Sequence, residues 1–294
     1  MAAHLNDPID SNRLASGARL GGARIERLLM RGAMGTLYLA FEEGTELPLA
    51  IKAVPLDAHD DASLAAAQGR FHHETLNAVR LRHPAIVITH GAIIDKGVGY
   101  VAMELLTGTD LARYTREARL LPEALALDIT ARVAGALAYA HRAGVVHRDV
   151  KPANVMYDPA IDSVKLTDFG LSRAVDSEAS RSGVLLGSPA YMAPELLAGA
   201  QAGAASDLYA LGVLLFQLLT GRLPFEGDTM GALLRAMATQ VPRSVRVLRP
   251  DLPAAQAAAL DSALARVLSR APGQRESDGD AWASSLRALR RSVF

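Results

Sequence analysis

Positions 147 to 154 read His147-Arg148-Asp149-Val150-Lys151-Pro152-Ala153-Asn154, which sets a carboxylate, an ammonium and a carboxamide at fixed offsets in one loop. A carboxylate there is a potential base, the ammonium a cation for a developing anion, and the amide oxygen a ligand for a hard metal ion. Asp168-Phe169-Gly170 follows downstream and adds a second oxygen ligand of the kind Mg²⁺ prefers. Upstream, Gly32-Ala33-Met34-Gly35 falls in a turn between strand-like segments, where missing Cβ atoms let backbone amides approach phosphate oxygens. Ala50-Ile51-Lys52 puts an ammonium in the third strand. Taken singly, a two-glycine hairpin is an ordinary turn, a strand lysine an ordinary solvated charge, and an Asp-Phe-Gly tripeptide carries little. Their meaning lies in their order along the chain.

Elements must position these groups, and the sequence divides them in two. From Arg24 to Tyr100 the pattern predicts strands at Ile25 to Met30, Thr36 to Phe41 and Leu49 to Val54, then a helix over Ala62 to Arg82 that stops at His83-Pro84. Ile86 to Ile94 and Val98 to Glu104 flank a Lys96-Gly97 turn as a hairpin. Beyond Thr107-Gly108 helices dominate. The clearest runs from Pro122 to Ala143, with Leu125, Ile129, Val133 and Leu137 on one face and Gly144 ending it. Short strands are expected at Val145 to His147, Asn154 to Tyr157 and Val164 to Thr167. Ser206 is read as the cap of an apolar helix closing at Gly221, and further helices as Pro253 to Ser269 and Ser277 to Arg291. A strand-rich part followed by a larger helical part implies a cleft, where small molecules commonly bind.

Composition removes other classes. Lys and Arg total 31 and so do Asp and Glu, so no basic footprint argues for nucleic acid or an anionic membrane. The chain has no cysteine, which excludes disulfides, thiolate nucleophiles and cysteine-ligated metals and fits a reducing, cytoplasmic setting. Residues 1–20 lack an apolar stretch of the signal-peptide kind and read as a disordered tail. The most apolar run, Leu208 to Leu219, is too short to span a bilayer and contains Gln217, so it reads as a buried helix.

The series Gly32, Lys52, His147 to Asn154, Asp168 to Gly170 and Ala193-Pro194-Glu195 resembles the eukaryotic-type protein kinases, most closely their bacterial Ser/Thr members, over about Leu20 to Arg291. The resemblance implies an α+β, bilobal kinase fold, with a β-rich N-lobe over about 21–104 and a helical C-lobe over about 105–291. It implies ATP and Mg²⁺ as cofactors, protein substrates with Ser/Thr acceptors, and self-association for autophosphorylation. By the same resemblance Lys52 holds the α- and β-phosphates and pairs with Glu74. Asp149 accepts the hydroxyl proton, Lys151 steadies the phosphoryl group, and Asn154 with Asp168 holds the metal. Gly32 and Gly35 cover the phosphates. Leu37 and Ala50 above, with Met156 below, enclose adenine, while Glu104 and Leu106 read its edge through their backbone and Asp110 lies near the ribose. Met103 matches the gatekeeper position.

Lys151 and the Gly187 to Tyr191 stretch resemble Ser/Thr rather than Tyr enzymes. The resemblance pairs Glu195 with Arg275, joins Asp207 to the catalytic-loop backbone, and has Ser188 bridge Asp149 and Lys151. Phosphorylation at Ser180 or Ser182 is expected to order the loop that carries them through Arg148. One departure stands out: Met30 occupies the place of the first glycine of the kinase loop. The rival readings are a pseudokinase or scaffold that binds nucleotide and partners without catalysis, and a small-molecule phosphotransferase on a related fold.

Overall fold

The computed structural model describes residues 14–32, 35–56, 60–169, 189–276 and 278–293. Ala33, Met34, Gly170, Ser180, Ser182 and Ser188 lie outside them. The chain forms two compact units, one of residues up to Arg80 together with Ile88–Leu106, the other of Leu81–Val87 with the described residues from Thr107 on. Among the described residues no helix is long and apolar enough to cross a membrane.

The first unit is an antiparallel sheet in the order β1-β2-β3-β4-β6-β5. Its strands are β1 (Arg19–Leu20), β2 (Ala23–Gly32), β3 (Gly35–Glu42), β4 (Pro48–Pro55), β5 (Thr89–Asp95) and β6 (Val98–Glu104). Residues read from the sequence as a tail are strand-paired at Arg19 and Leu20, and the Leu14 amide donates to the Tyr38 hydroxyl. Alternation gives the sheet two faces. Ile25, Tyr38, Ala40, Leu49, Ile51 and Ala53 pack into one buried cluster, so Leu37, Leu39, Ala50 and Lys52 point the other way. Lys96 and Gly97 both take positive φ (47° and 77°), the geometry of a two-residue hairpin turn whose twist matches its strands.

Helix α1 (Asp61–Arg80) starts at a reciprocal cap: the Ser63 amide donates to the Asp60 carboxylate at 2.7 Å and the Asp60 amide to the Ser63 hydroxyl at 3.2 Å. At Gly35 the φ is 125°, and a Cβ would stand 2.1 Å from the Ala53 carbonyl oxygen. A side chain there displaces β3 from β4, so Gly35→Ala should lower stability by about 2 kcal/mol in chemical denaturation. Gly32→Ala, where a Cβ would lie 3.9 Å from the nearest atom, should cost under about 1 kcal/mol in the same assay.

In the second unit, β7 (Thr109–Asp110), β8 (Val155–Asp158) and β9 (Ser163–Leu166) form a small sheet. Its helices are α2 (Glu123–Arg142), α3 (Pro194–Leu197), α4 (Ala204–Thr220), α5 (Met230–Thr239), α6 (Val245–Leu248), α7 (Ala254–Val267) and α8 (Gly279–Val293). Helix α2 packs on α4 and α8, and its Ala126, Ala131, Ala134 and Ala138 are buried, small side chains that let neighbouring helices come close. Helix α4 is apolar nearly all round because it is buried nearly all round.

Three expectations need correction. Ile86 to Ile94 is not one strand: Ile86 bridges Leu166 in the second unit and the Val87 amide donates to the Leu166 carbonyl, whereas β5 begins at Thr89. Ala85, Ile86 and Val87 are all buried, so the run lacks the alternation that marks a strand boundary. Val145 to His147 forms no strand, because the His147 amide is taken by a carboxylate instead of a ladder. Ser206 is not the helix cap. Gly203 holds that place, and Ser206 reaches back one turn to accept from the Gly203 amide at 2.9 Å.

Candidate active site

Helix α2 ends at Arg142, and Gly144, with φ of 76°, turns the chain into the loop that carries Asp149. That loop is suspended from Asp207, in the first turn of α4, whose side chain is 1% exposed. One Asp207 oxygen accepts the His147 amide and His141 Nε2, each at 2.8 Å, and the other accepts the Arg148 amide at 2.8 Å. His147 is fully buried. Its Nδ1 accepts the Asp149 amide at 3.2 Å, so its proton sits on Nε2 and is donated to the Thr167 carbonyl at 2.7 Å. The ring also meets Phe169 edge-on at 4.7 Å. One buried imidazole thus ties the Asp149 loop to the residue preceding Asp168.

Replacing Asp207 by Asn puts an NH₂ where one of these donors needs an acceptor. Asp207→Asn should cost about 2 kcal/mol of stability, read as a lower denaturation midpoint with an unchanged slope.

Within the loop, Asp149 Oδ2 lies 2.7 Å from Lys151 Nζ, and both side chains are mostly covered. Asn154 Nδ2 donates to the same oxygen at 3.0 Å and to the Asp149 carbonyl at 2.8 Å, which turns the amide oxygen of Asn154 away from Asp149. The Asn154 carbonyl accepts the Thr167 amide at 2.9 Å and its hydroxyl at 3.2 Å, so Asp168 is anchored one residue from Asn154's backbone. Arg148 and Asp168 both hold positive φ, 70° and 64°. Such conformations cost about 1–3 kcal/mol in non-glycine residues and gather at functional sites. This cluster can hold a base and a cation side by side and offers the Asn154 and Asp168 oxygens for a hard metal ion.

The remaining residues named from the sequence divide between the two units. In the first unit Gly32 and Gly35 face each other at the β2–β3 end, Leu37 pairs with Lys52, and Ala50 pairs with Met103. Ala50 and Met103 are buried, as is Glu74 on α1. Glu104 closes β6 against Ile88, its amide donating to the Ile88 carbonyl at 2.9 Å and its carboxylate accepting the Ile88 amide at 2.7 Å. Leu106 comes two residues later, partly exposed. In the second unit Asp110 pairs across β7–β8 with Met156, and its Oδ1 accepts the Ala112 amide at 3.0 Å, capping a short turn.

Glu195 and Arg275 meet through two 2.7 Å contacts, and the Arg275 side chain is fully buried. Its guanidinium also lies 4.8 Å over the Tyr209 ring, and burial raises the Tyr209 hydroxyl pKa far above its ordinary value. The Tyr191 hydroxyl, which donates to Gln217, is pushed up to about 12, again by burial. Sequence reasoning missed His141, the Thr167 carbonyl and Tyr209. Backbone carbonyls leave no trace in residue type, and His141 sits 66 residues from Asp207.

A sequence model of the protein kinase domain matches residues 24–285. The serine/threonine-protein kinase pkn3 of Myxococcus xanthus is 34% identical over 275 residues, covering 90% of this chain and 49% of that one. The serine/threonine-protein kinase PkaB of Streptomyces coelicolor is 40% identical over 238 residues, covering 76% and 55%. Among solved structures, that of Rad53 1-466 in complex with AMP-PNP superimposes with a TM-score of 0.71 at 25% identity, over 88% of this chain and 63% of that one. The chain spans about half the length of these curated relatives.

Proposed function

The chain belongs to the protein kinase domain family, and on that premise we propose that it transfers the γ-phosphate of Mg-ATP to serine or threonine hydroxyls of proteins, its own among them. The observation that carries the reading is the contact of Asp149 with both Lys151 (2.7 Å) and Asn154 (3.0 Å). A carboxylate held in this way can orient a hydroxyl and take its proton while the neighbouring ammonium offsets charge on the migrating group. Lys52 and Glu74 belong to nucleotide positioning, and Gly32, Gly35, Leu37, Ala50, Glu104, Leu106, Asp110 and Met156 to the nucleotide's surroundings.

Asn154 and Asp168 would hold Mg²⁺, and the turned-away amide oxygen of Asn154 fits that task. The bound metal supplies neutralisation of phosphate charge. Ser180 and Ser182 are read as acceptors of regulatory phosphate, by resemblance to the bacterial enzymes. Residues 21–291 form the functional unit in this reading.

Labelled Mg-ATP and a generic basic protein test it. Wild type should incorporate label, and Lys52→Met should do so about 10²-fold more slowly, the scale of removing one electrostatic contact to the transition state. Equal rates in the two proteins would favour a scaffold.

A further inference from the structure

Where kinase-like loops carry their first glycine, this chain has Met30, and the register of β2 decides where that side chain goes. Leu28 pairs with Tyr38 and leans on the buried cluster, so in a regular strand Met30, two residues on, would lie on the same face. The strand is not regular there. Pairing steps from Leu28↔Tyr38 to Met30↔Leu37, with Leu29 the extra residue of a bulge. A bulge re-aims the side chains beyond it, and this one moves Met30 to the opposite face.

The next pairings run Met30↔Leu37 and Leu37↔Lys52, so the three residues stand in one rank across β2, β3 and β4, on the face away from the core. Directly paired side chains lie about 5 Å apart. Met30 is 60% exposed, a large apolar side chain that its own unit leaves uncovered. Its φ is not positive, unlike that of Gly35, so the backbone needs no glycine at this point.

We propose that Met30 is part of the nucleotide-binding surface, its flexible thioether extending the Leu37 wall over the nucleoside, on the side of Leu37 remote from Lys52. The inference rests on the kinase reading above. It makes Met30 a nucleotide-contacting residue that replaces conformational freedom in the loop with apolar contact.

Titration of a fluorescent ADP analogue into the full chain tests this, with competition by adenosine and by inorganic tripolyphosphate, on wild type, Met30→Gly, Met30→Gln and Met30→Leu. Met30→Gly and Met30→Gln should bind the analogue and adenosine about fivefold more weakly or worse, as loss of the apolar area that the bound nucleoside would cover implies. Met30→Leu should stay within about twofold, and tripolyphosphate affinity should not change in any variant. Thermal melts alongside show that the variants are folded. If Met30→Gly binds as tightly as wild type or more so, the inference falls and the kinase reading stands. If weakening extends equally to tripolyphosphate, Met30 acts through loop shape and the inference also falls. Absence of nucleotide binding by wild type would overturn the kinase reading itself.

Discussion

Asp149→Asn should lower the turnover number for phosphoryl transfer by about 10³-fold while leaving the melting temperature within about 2 °C of wild type. Asn has the shape of Asp and can still accept a hydrogen bond from Lys151 or from Asn154, so the loop keeps its main contacts. What it lacks is a basic oxygen for the hydroxyl proton and the negative charge that holds Lys151 at 2.7 Å. General-base contributions of about 10²–10⁴ set the scale. Nucleotide affinity should change little, because in the proposed role Asp149 would act on the acceptor and not on the nucleotide. Steady-state kinetics with Mg-ATP and a basic protein, beside ADP titration, separate the two effects. Turnover within about tenfold of wild type would remove Asp149 from the base role.

Arg275→Ala should have the largest effect on stability, about 3–5 kcal/mol, and lower the melting temperature by about 10 °C. The buried guanidinium makes a two-pronged contact with Glu195 at 2.7 Å and donates to the carbonyls of Ser269, Ala205 and Arg270 at 2.6, 3.2 and 2.9 Å. Truncation leaves the Glu195 carboxylate, only 16% exposed, without its cation, and the carbonyls without their donor. Against a typical stability of about 5–15 kcal/mol, that loss is large. The double variant Arg275→Met with Glu195→Gln should recover part of it, since it removes the stranded charge as well as the pair. A melting temperature for Arg275→Ala within about 2 °C of wild type would show the pair to be replaceable by water.

The geometry of the candidate site was legible where it is local. His147 to Asn154 is one loop of eight residues, and the structure places Lys151 and Asn154 within hydrogen-bond reach of Asp149, as their short offsets favour. Strands β2, β3, β4 and β6 were legible from their residue pattern, α2 from its apolar face and α4 from its apolar run, whereas β1 was read as tail and β5 was begun too early. What sequence could not show depends on pairing. The bulge at Leu29 changes the face of Met30 without changing any residue type, and Ile86 leaves the first unit's sheet because a partner at Leu166 exists for it.

Helix α5 (Met230–Thr239) escaped notice but was legible too, since Met230, Leu233, Leu234 and Met237 recur at i, i+3, i+4 and i+7, although only Ala236 and Met237 are buried. Its cap is conventional once seen, the Thr229 hydroxyl accepting the Ala232 amide at 3.1 Å. The long-range contacts of the site, Asp207 with His141 and Glu195 with Arg275, join residues 66 and 80 positions apart. Only the family pattern connects Glu195 and Arg275 in advance, and nothing local announces the His141 contact.

The most direct test of the central claim is the fate of the γ-phosphate. Wild-type chain is incubated with Mg-[γ-³²P]ATP and a generic basic protein, with Asp149→Asn as the blank, and the labelled product is hydrolysed to its phosphoamino acids. The account predicts label on phosphoserine or phosphothreonine, far above the blank and lost when the metal is chelated. Label no higher than the blank, or label on phosphotyrosine alone, would contradict it.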